Sequence, residues 1–104
     1  MPGVDFDRLR AEVPIQRVLR LLGFEPNRCR GDQWYGHCPL PACRQCGGTP
    51  FSVNVAIGRY HCHRCRAHGH QLELWSAVTG LPLHRAAIDL CAVLSREVPW
   101  IQRW

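Results

Sequence analysis

The sequence predicts a small α+β fold, and three observations carry that prediction. Seven cysteines fall in a chain of 104 residues, five of them between positions 38 and 65. Within the same stretch, short runs alternate apolar and polar residues, as half-buried strands do. Before and after it, apolar residues recur at helical spacing. Together these define a zinc ribbon, meaning a short antiparallel sheet with two metal knuckles, flanked by N- and C-terminal helices. The chain reads as a single domain over residues 1–104, with an N-terminal helical segment at 5–23, the ribbon at 27–69 and the C-terminal helices at 70–96.

In the N-terminal segment, Asp5 or Asp7 is suited to cap a short helix, and Pro14 suits the first turn of a second one. Ile15, Val18, Leu19 and Leu22 follow the i, i+3, i+4, i+7 rule, and Gly23 is placed to stop the helix. Arg17 and Arg20 then fall on its solvated side. In the middle, "QWYGH", "FSVNV" and "RYHCH" are β-prone runs. Phe51, Val53 and Val55 alternate with Ser52 and Asn54, and Gly58 supplies a turn, so residues 51–62 read as a β-hairpin. Two or three short strands are marginal in water by themselves, and a metal cross-link would explain why this segment folds. After Gly69, "HQLELWSAVTG" reads as a helix ended by Gly80. "LPLHRAAIDLCAVLSREV" reads as another, with Leu83, Ala87, Leu90, Cys91 and Leu94 on one stripe. Cys91 is therefore expected to be a buried apolar residue. The tail "PWIQRW" either frays or docks.

The opening "MPGVDFDRLRAEVP" lacks a basic segment followed by an apolar run, so it does not read as a signal peptide. No apolar stretch approaches the roughly 18 residues of a membrane span. The expected compartment is the cytoplasm, where thiols stay reduced and clustered cysteines serve metals more often than disulfides. Cys62 and Cys65 form a Cys-x2-Cys knuckle at the end of the hairpin. Two close thiolates from one turn occupy two corners of a tetrahedron, and a second turn must supply the others. Cys38, Cys43 and Cys46 compete for those two corners, either as Cys38-x4-Cys43 or as Cys43-x2-Cys46. Soft sulfur ligands point to one structural Zn2+. His61 and His63 flank the second knuckle and are expected to be exposed polar side chains instead of ligands.

The formal charge is +5, and all thirteen basic residues are arginine. Arginine grips phosphate bidentately and stacks on bases, so this balance favours an anionic partner, nucleic acid first. Arg59, Arg64 and Arg66 surround the second knuckle, while Arg28, Arg30 and Arg44 approach the first. Trp34, Tyr35 and Tyr60 interleave with them, the composition of a single-strand binding surface. Trp34 and Tyr60 read equally as core residues of a small sheet. Alternation groups Tyr35, Asn54, Arg59, His61 and His63 on one exposed face.

The ordered motifs "LLGF" at 21–24, "GHCPLP" at 36–41, "PFSVNV" at 50–55, "YHCHRC" at 60–65 and "AHGHQLELW" at 67–75 resemble the Cys-His-Cys-Cys zinc ribbon of bacterial-type DNA primases. The resemblance covers about residues 13–80. It implies a zinc ribbon that grips single-stranded template DNA and works with a separate primase, helicase or mobile-element protein. Pro41 stands where the family has its histidine ligand, and Cys43 is the nearest sulfur. The resemblance therefore implies Cys38, Cys43, Cys62 and Cys65 as the metal set, with Cys46 in reserve. His63 stands where the family has an aromatic residue. The nucleic-acid contacts so implied, together with the arginine clustering, are Arg30, Tyr35, Arg59, Tyr60, His61, Arg64 and Arg66.

Primase chemistry resides in a catalytic domain with clustered acidic residues. The eight acidic residues here are scattered, so the chain is expected to be a short stand-alone member that is not catalytic by itself. Two other readings compete. One is a zinc-stapled adaptor whose terminal helices and tryptophans, Trp100 and Trp104, dock a protein. The other is a redox or metal-sensing four-cysteine protein with Cys46 as a spare thiol.

Overall fold

The computed structural model describes residues 3–41, 43 and 48–101; Cys46, Arg44 and Trp104 lie outside the described residues. Helices α1 (Phe6–Glu12) and α2 (Ile15–Leu21) open the chain, strands β1 (Arg28–Arg30), β2 (Gln33–Gly36), β3 (Phe51–Asn54), β4 (Arg59–Cys62) and β5 (His68–His70) follow, and α3 (Gln71–Thr79) and α4 (Leu83–Val93) close it. Every strand pairs antiparallel with the next in sequence, giving a five-stranded meander in the order β1-β2-β3-β4-β5.

Local chemistry sets the helix ends. The Asp5 carboxylate accepts the Arg8 amide at 3.1 Å, so Asp5 caps α1, while Asp7 lies inside the first turn. Gly23, at φ +72°, ends α2 in a Schellman motif: its own N–H reaches Arg20 O at 3.1 Å, and the Phe24 N–H reaches Leu19 O at 2.9 Å. Helix α4 ends the same way, with Ser95 at φ +55° in the place a glycine would suit better. The expected hairpin is β3 and β4, with Val53 opposite Tyr60. The outermost strands were not expected. Strand β1 is held to β2 through the Gly31-Asp32 turn, and β5 pairs with β4 through "HGH".

One face of the sheet is covered by helices and the other is open. Phe51, Val53, Tyr60 and Cys62 point inward, where they join Leu9, Ile15, Val18, Leu19, Leu72, Leu74, Trp75 and Leu90 in one buried core. Helix α3 leads straight out of β5, packs against β4 and β5, and carries α2 and α4 on its flanks. Cys91 is fully buried in this core, as its place on the α4 stripe requires, and burial lifts its thiol pKa. The buried Gln71 amide donates to Arg10 O at 2.9 Å and Val13 O at 2.8 Å, which satisfies carbonyls left over at the end of α1. The described part of the tail, residues 99–101, docks. Asp5 N–H reaches Pro99 O and Ile101 N–H reaches Gly3 O, each at 2.7 Å, joining the two ends of the described chain as a small antiparallel bridge. Among the described residues, no helix is long and apolar enough to cross a membrane.

Candidate metal centre and open sheet face

Strand β4 delivers Cys62 to the inner side of the sheet end, opposite Phe51. The chain then turns sharply. Arg66 N–H bonds Cys62 O at 2.9 Å, Cys62 N–H bonds Ala67 O at 2.9 Å, and the Cys65 amide lies 3.4 Å from Cys62 Sγ. This turn brings Cys65 back beside Cys62 and forces Arg66 to φ +64°, the left-handed region. On the first side, Gly36 ends β2 against Phe24. A β-carbon there would meet that ring at 2.8 Å, so only glycine lets the strand run into Cys38 at this approach. Cys43 N–H bonds Leu40 O at 2.9 Å, turning Cys43 back toward Cys38.

The four sulfurs of Cys38, Cys43, Cys62 and Cys65 lie within 4.8 Å of one another. Cys43 Sγ is 3.7 Å from Cys62 Sγ and Cys38 Sγ is 3.9 Å from Cys65 Sγ. A tetrahedral ion with metal–sulfur bonds of about 2.3 Å requires sulfur–sulfur edges of about 3.8 Å, so the cluster already has the size of a four-thiolate site. All four are free thiols, and Cys38, Cys43 and Cys62 are buried. Burial raises the Cys38 and Cys43 pKa values, because a thiolate loses water there. Burial also opposes ionisation of Cys62, but the amides of Cys65 and Arg64 donate to its sulfur and hold it at about 7. A divalent cation at the centre is what would let all four ionise together. Cys46, the other contender for the first pair, lies outside the described residues.

The sheet's outer face is a grid set by register. One row runs Arg28, Tyr35, Ser52, His61, His68, and the next runs Arg30, Gln33, Asn54, Arg59, His70. Directly opposed residues share a face, so these side chains are neighbours. No position in either row carries a carboxylate. Arg28, Arg30, Arg59 and His61 are exposed and Tyr35 is half-buried. A shallow depression of about 340 Å3 lies over Gln33, Ser52, Asn54, Arg59, His61 and His68. Elsewhere, Arg8 and Arg96 pair with Glu12 and Arg10 pairs with Asp7 and Glu73, whereas Arg17, Arg20 and Arg85 on the helices have no ion pair among the described residues.

The structure takes one expected residue off the open face and places further ones on it. Tyr60 is only 4% exposed and stacks on Phe51, with ring centroids 5.7 Å apart, so its ring belongs to the core and does not face the grid. Its hydroxyl is pushed up to about 12 by burial, with the charge of Glu73 adding. Trp34 is likewise packed against the core from the inner face. Arg30, Tyr35, Arg59 and His61 share the open face, and Arg64 and Arg66 are exposed in the knuckle turn beyond β4. Sequence reasoning left out Gln33, His68 and His70 from the face. The Gly31-Asp32 pair, a two-residue hairpin signal, would have placed Arg28 and Arg30 beside Tyr35 and Gln33.

A meander with two cysteine pairs converging at one end, helices on one face and a basic polar grid on the other, is a metal-binding ribbon of α+β class. Among solved structures it is similar to the crystal structure of the Aquifex aeolicus primase zinc-binding and RNA polymerase domains, with a TM-score of 0.74 and 20% identity. The match covers 92% of this chain and 23% of that one, and it is a likeness of fold. No protein-family model and no curated protein matches the chain.

Proposed function

We propose that this chain is a primase-type zinc-ribbon module that binds single-stranded DNA on its open sheet face and serves a separate replication enzyme. The observation that carries the reading is the grid itself: Arg28, Arg30 and Arg59 stand without ion-pair partners among the described residues, beside Tyr35, His61 and His68, in rows where no position carries a carboxylate, and only His70 at the edge approaches one, Glu73 at 3.9 Å. Flexible strands are gripped by such surfaces through phosphate contacts and base stacking, with little demand for base-specific bonds. Arg66 and Arg64 extend the basic surface around the knuckle. In this reading the metal is Zn2+ held by Cys38, Cys43, Cys62 and Cys65, and its work is structural, locking the end of β4 to the segment after β2.

The module is not expected to make primers by itself. Asp7, Glu12 and Glu73 are committed to arginines, Asp5 caps α1, and Asp89 accepts the Trp75 indole N–H at 2.9 Å, so these carboxylates do not assemble a magnesium site. Its partner is then a primase, helicase or mobile-element protein that brings the catalytic centre. The test is fluorescence anisotropy of labelled single strands against the zinc-loaded protein. Binding at low salt that weakens in Arg59→Ala and in Arg66→Ala supports the reading. No binding at low salt, or binding that neither substitution alters, refutes it.

A further inference from the structure

In "YHCHRC", two histidines flank the metal ligand Cys62 without joining the cysteine centre. His61 and His63 lie on the outer side, and their rings touch, with centroids 4.6 Å apart at 77°. Across the β4–β5 ladder, His68 is the direct partner of His61, and their ring centroids are 6.4 Å apart. All three side chains are exposed, and among the described residues their ring nitrogens make no hydrogen bond to protein.

We propose that His61, His63 and His68 form a second metal site, separate from the four cysteines, that takes a divalent ion with a preference for imidazole, such as zinc or nickel. His61 lies on β4 and His63 opens the knuckle turn with its ring against that of His61, and His68, directly opposite His61 on β5, completes the set. Two imidazoles on one tetrahedral ion, with metal–nitrogen bonds of about 2.1 Å, place their ring centroids about 5 Å apart. The observed 4.6 Å and 6.4 Å bracket that value. Among the described residues only the cysteine sulfurs already converge, so the imidazoles close on an ion by χ rotation. Exposed side chains make such rotations freely. Three ring nitrogens leave further coordination positions open to water or an anion. The neighbouring Arg59 and Arg66 repel a cation, which makes this site weaker than the thiolate centre and favours an anionic co-ligand.

Protein carrying one zinc per chain is titrated with further zinc, and stoichiometry is followed by native mass spectrometry with affinity from competition against a chromophoric chelator. A second ion is expected with a Kd of about 10 μM or tighter. His63→Ala and His68→Ala should each weaken it about tenfold or more while the first ion stays bound. His84→Ala, an exposed histidine on α4, should leave both ions unchanged. In imidazole NMR spectra the three rings should shift with the second equivalent alone. Uptake of only one ion below millimolar zinc overturns the proposal. So does a second ion indifferent to His63→Ala and His68→Ala, or one lost equally in His84→Ala. Loss of the first ion along with the second in both variants assigns the effect to the cysteine centre and also overturns it.

Discussion

Replacing Arg59 by alanine changes the salt dependence of single-strand binding by an amount that can be worked from the face. Arg28, Arg30 and Arg59 lie on the grid and Arg66 stands exposed beyond it, none with an ion pair among the described residues. If each neutralises one phosphate, a single strand gives up about 0.7 counterion per contact, and the slope of log K against log salt is about −2.8. Raising salt from about 50 to 200 mM then weakens binding about 50-fold. Arg59→Ala removes one contact, so its slope is about −2.1 and the same change weakens it about 20-fold. Arg8→Ala is the control, because that guanidinium is bonded to Glu12 at 3.0 Å on α1 and leaves the slope unchanged. The assay is fluorescence anisotropy of a labelled oligonucleotide at four or more salt concentrations. A slope shallower than about −1, or equal changes in Arg59→Ala and Arg8→Ala, refutes the assignment of this face.

Three further outcomes follow from the packing. Removing zinc with a strong chelator should unfold the sheet reversibly, since a structural zinc supplies about 10–16 kcal/mol and a domain this small has only about 5–15 kcal/mol in all. Circular dichroism and amide NMR follow the loss and its recovery on zinc addition, and Cys43→Ser should lose the metal while Cys46→Ser keeps it. Gln71→Leu leaves Arg10 O and Val13 O buried without their donor and should cost about 1–3 kcal/mol, read as a lowered midpoint in urea with binding of the single strand retained by the folded fraction. Ser95→Gly relieves a left-handed residue at φ +55° and should raise stability by about 0.5–1 kcal/mol in the same assay.

What was legible in the sequence was whatever short-range chemistry encodes. The second knuckle needs only the Cys62-x2-Cys65 spacing, the hairpin needs the alternation of Phe51 and Val53 and a Gly58 turn, and α2 needs four apolar residues and Gly23. Cys91 was readable as core from its place on the α4 stripe. Neither "RCR" of β1 nor "HGH" of β5 has an apolar alternation to reveal it, and only the Gly31-Asp32 turn signal points locally to β1. They are strands only because β2 and β4 offer them backbone partners. Tyr60 shows how fine the reading must be. It is one residue from His61, and the pleat alone sends the two side chains to opposite faces.

The sequence by itself determined that this chain has metal-binding knuckles between helices and an excess of arginine, because ligand spacing, helical period and charge are properties of neighbours along the chain. Only the tertiary structure decided that Cys38 and Cys43 meet Cys62 and Cys65 at metal-site distances, and that Arg28, Arg30 and Arg59 share one face with His61 and His68. Those juxtapositions depend on strand register and on which face the helices cover. Both are fixed by burying Phe51, Val53 and Tyr60 together, a cooperative choice that no local pattern contains.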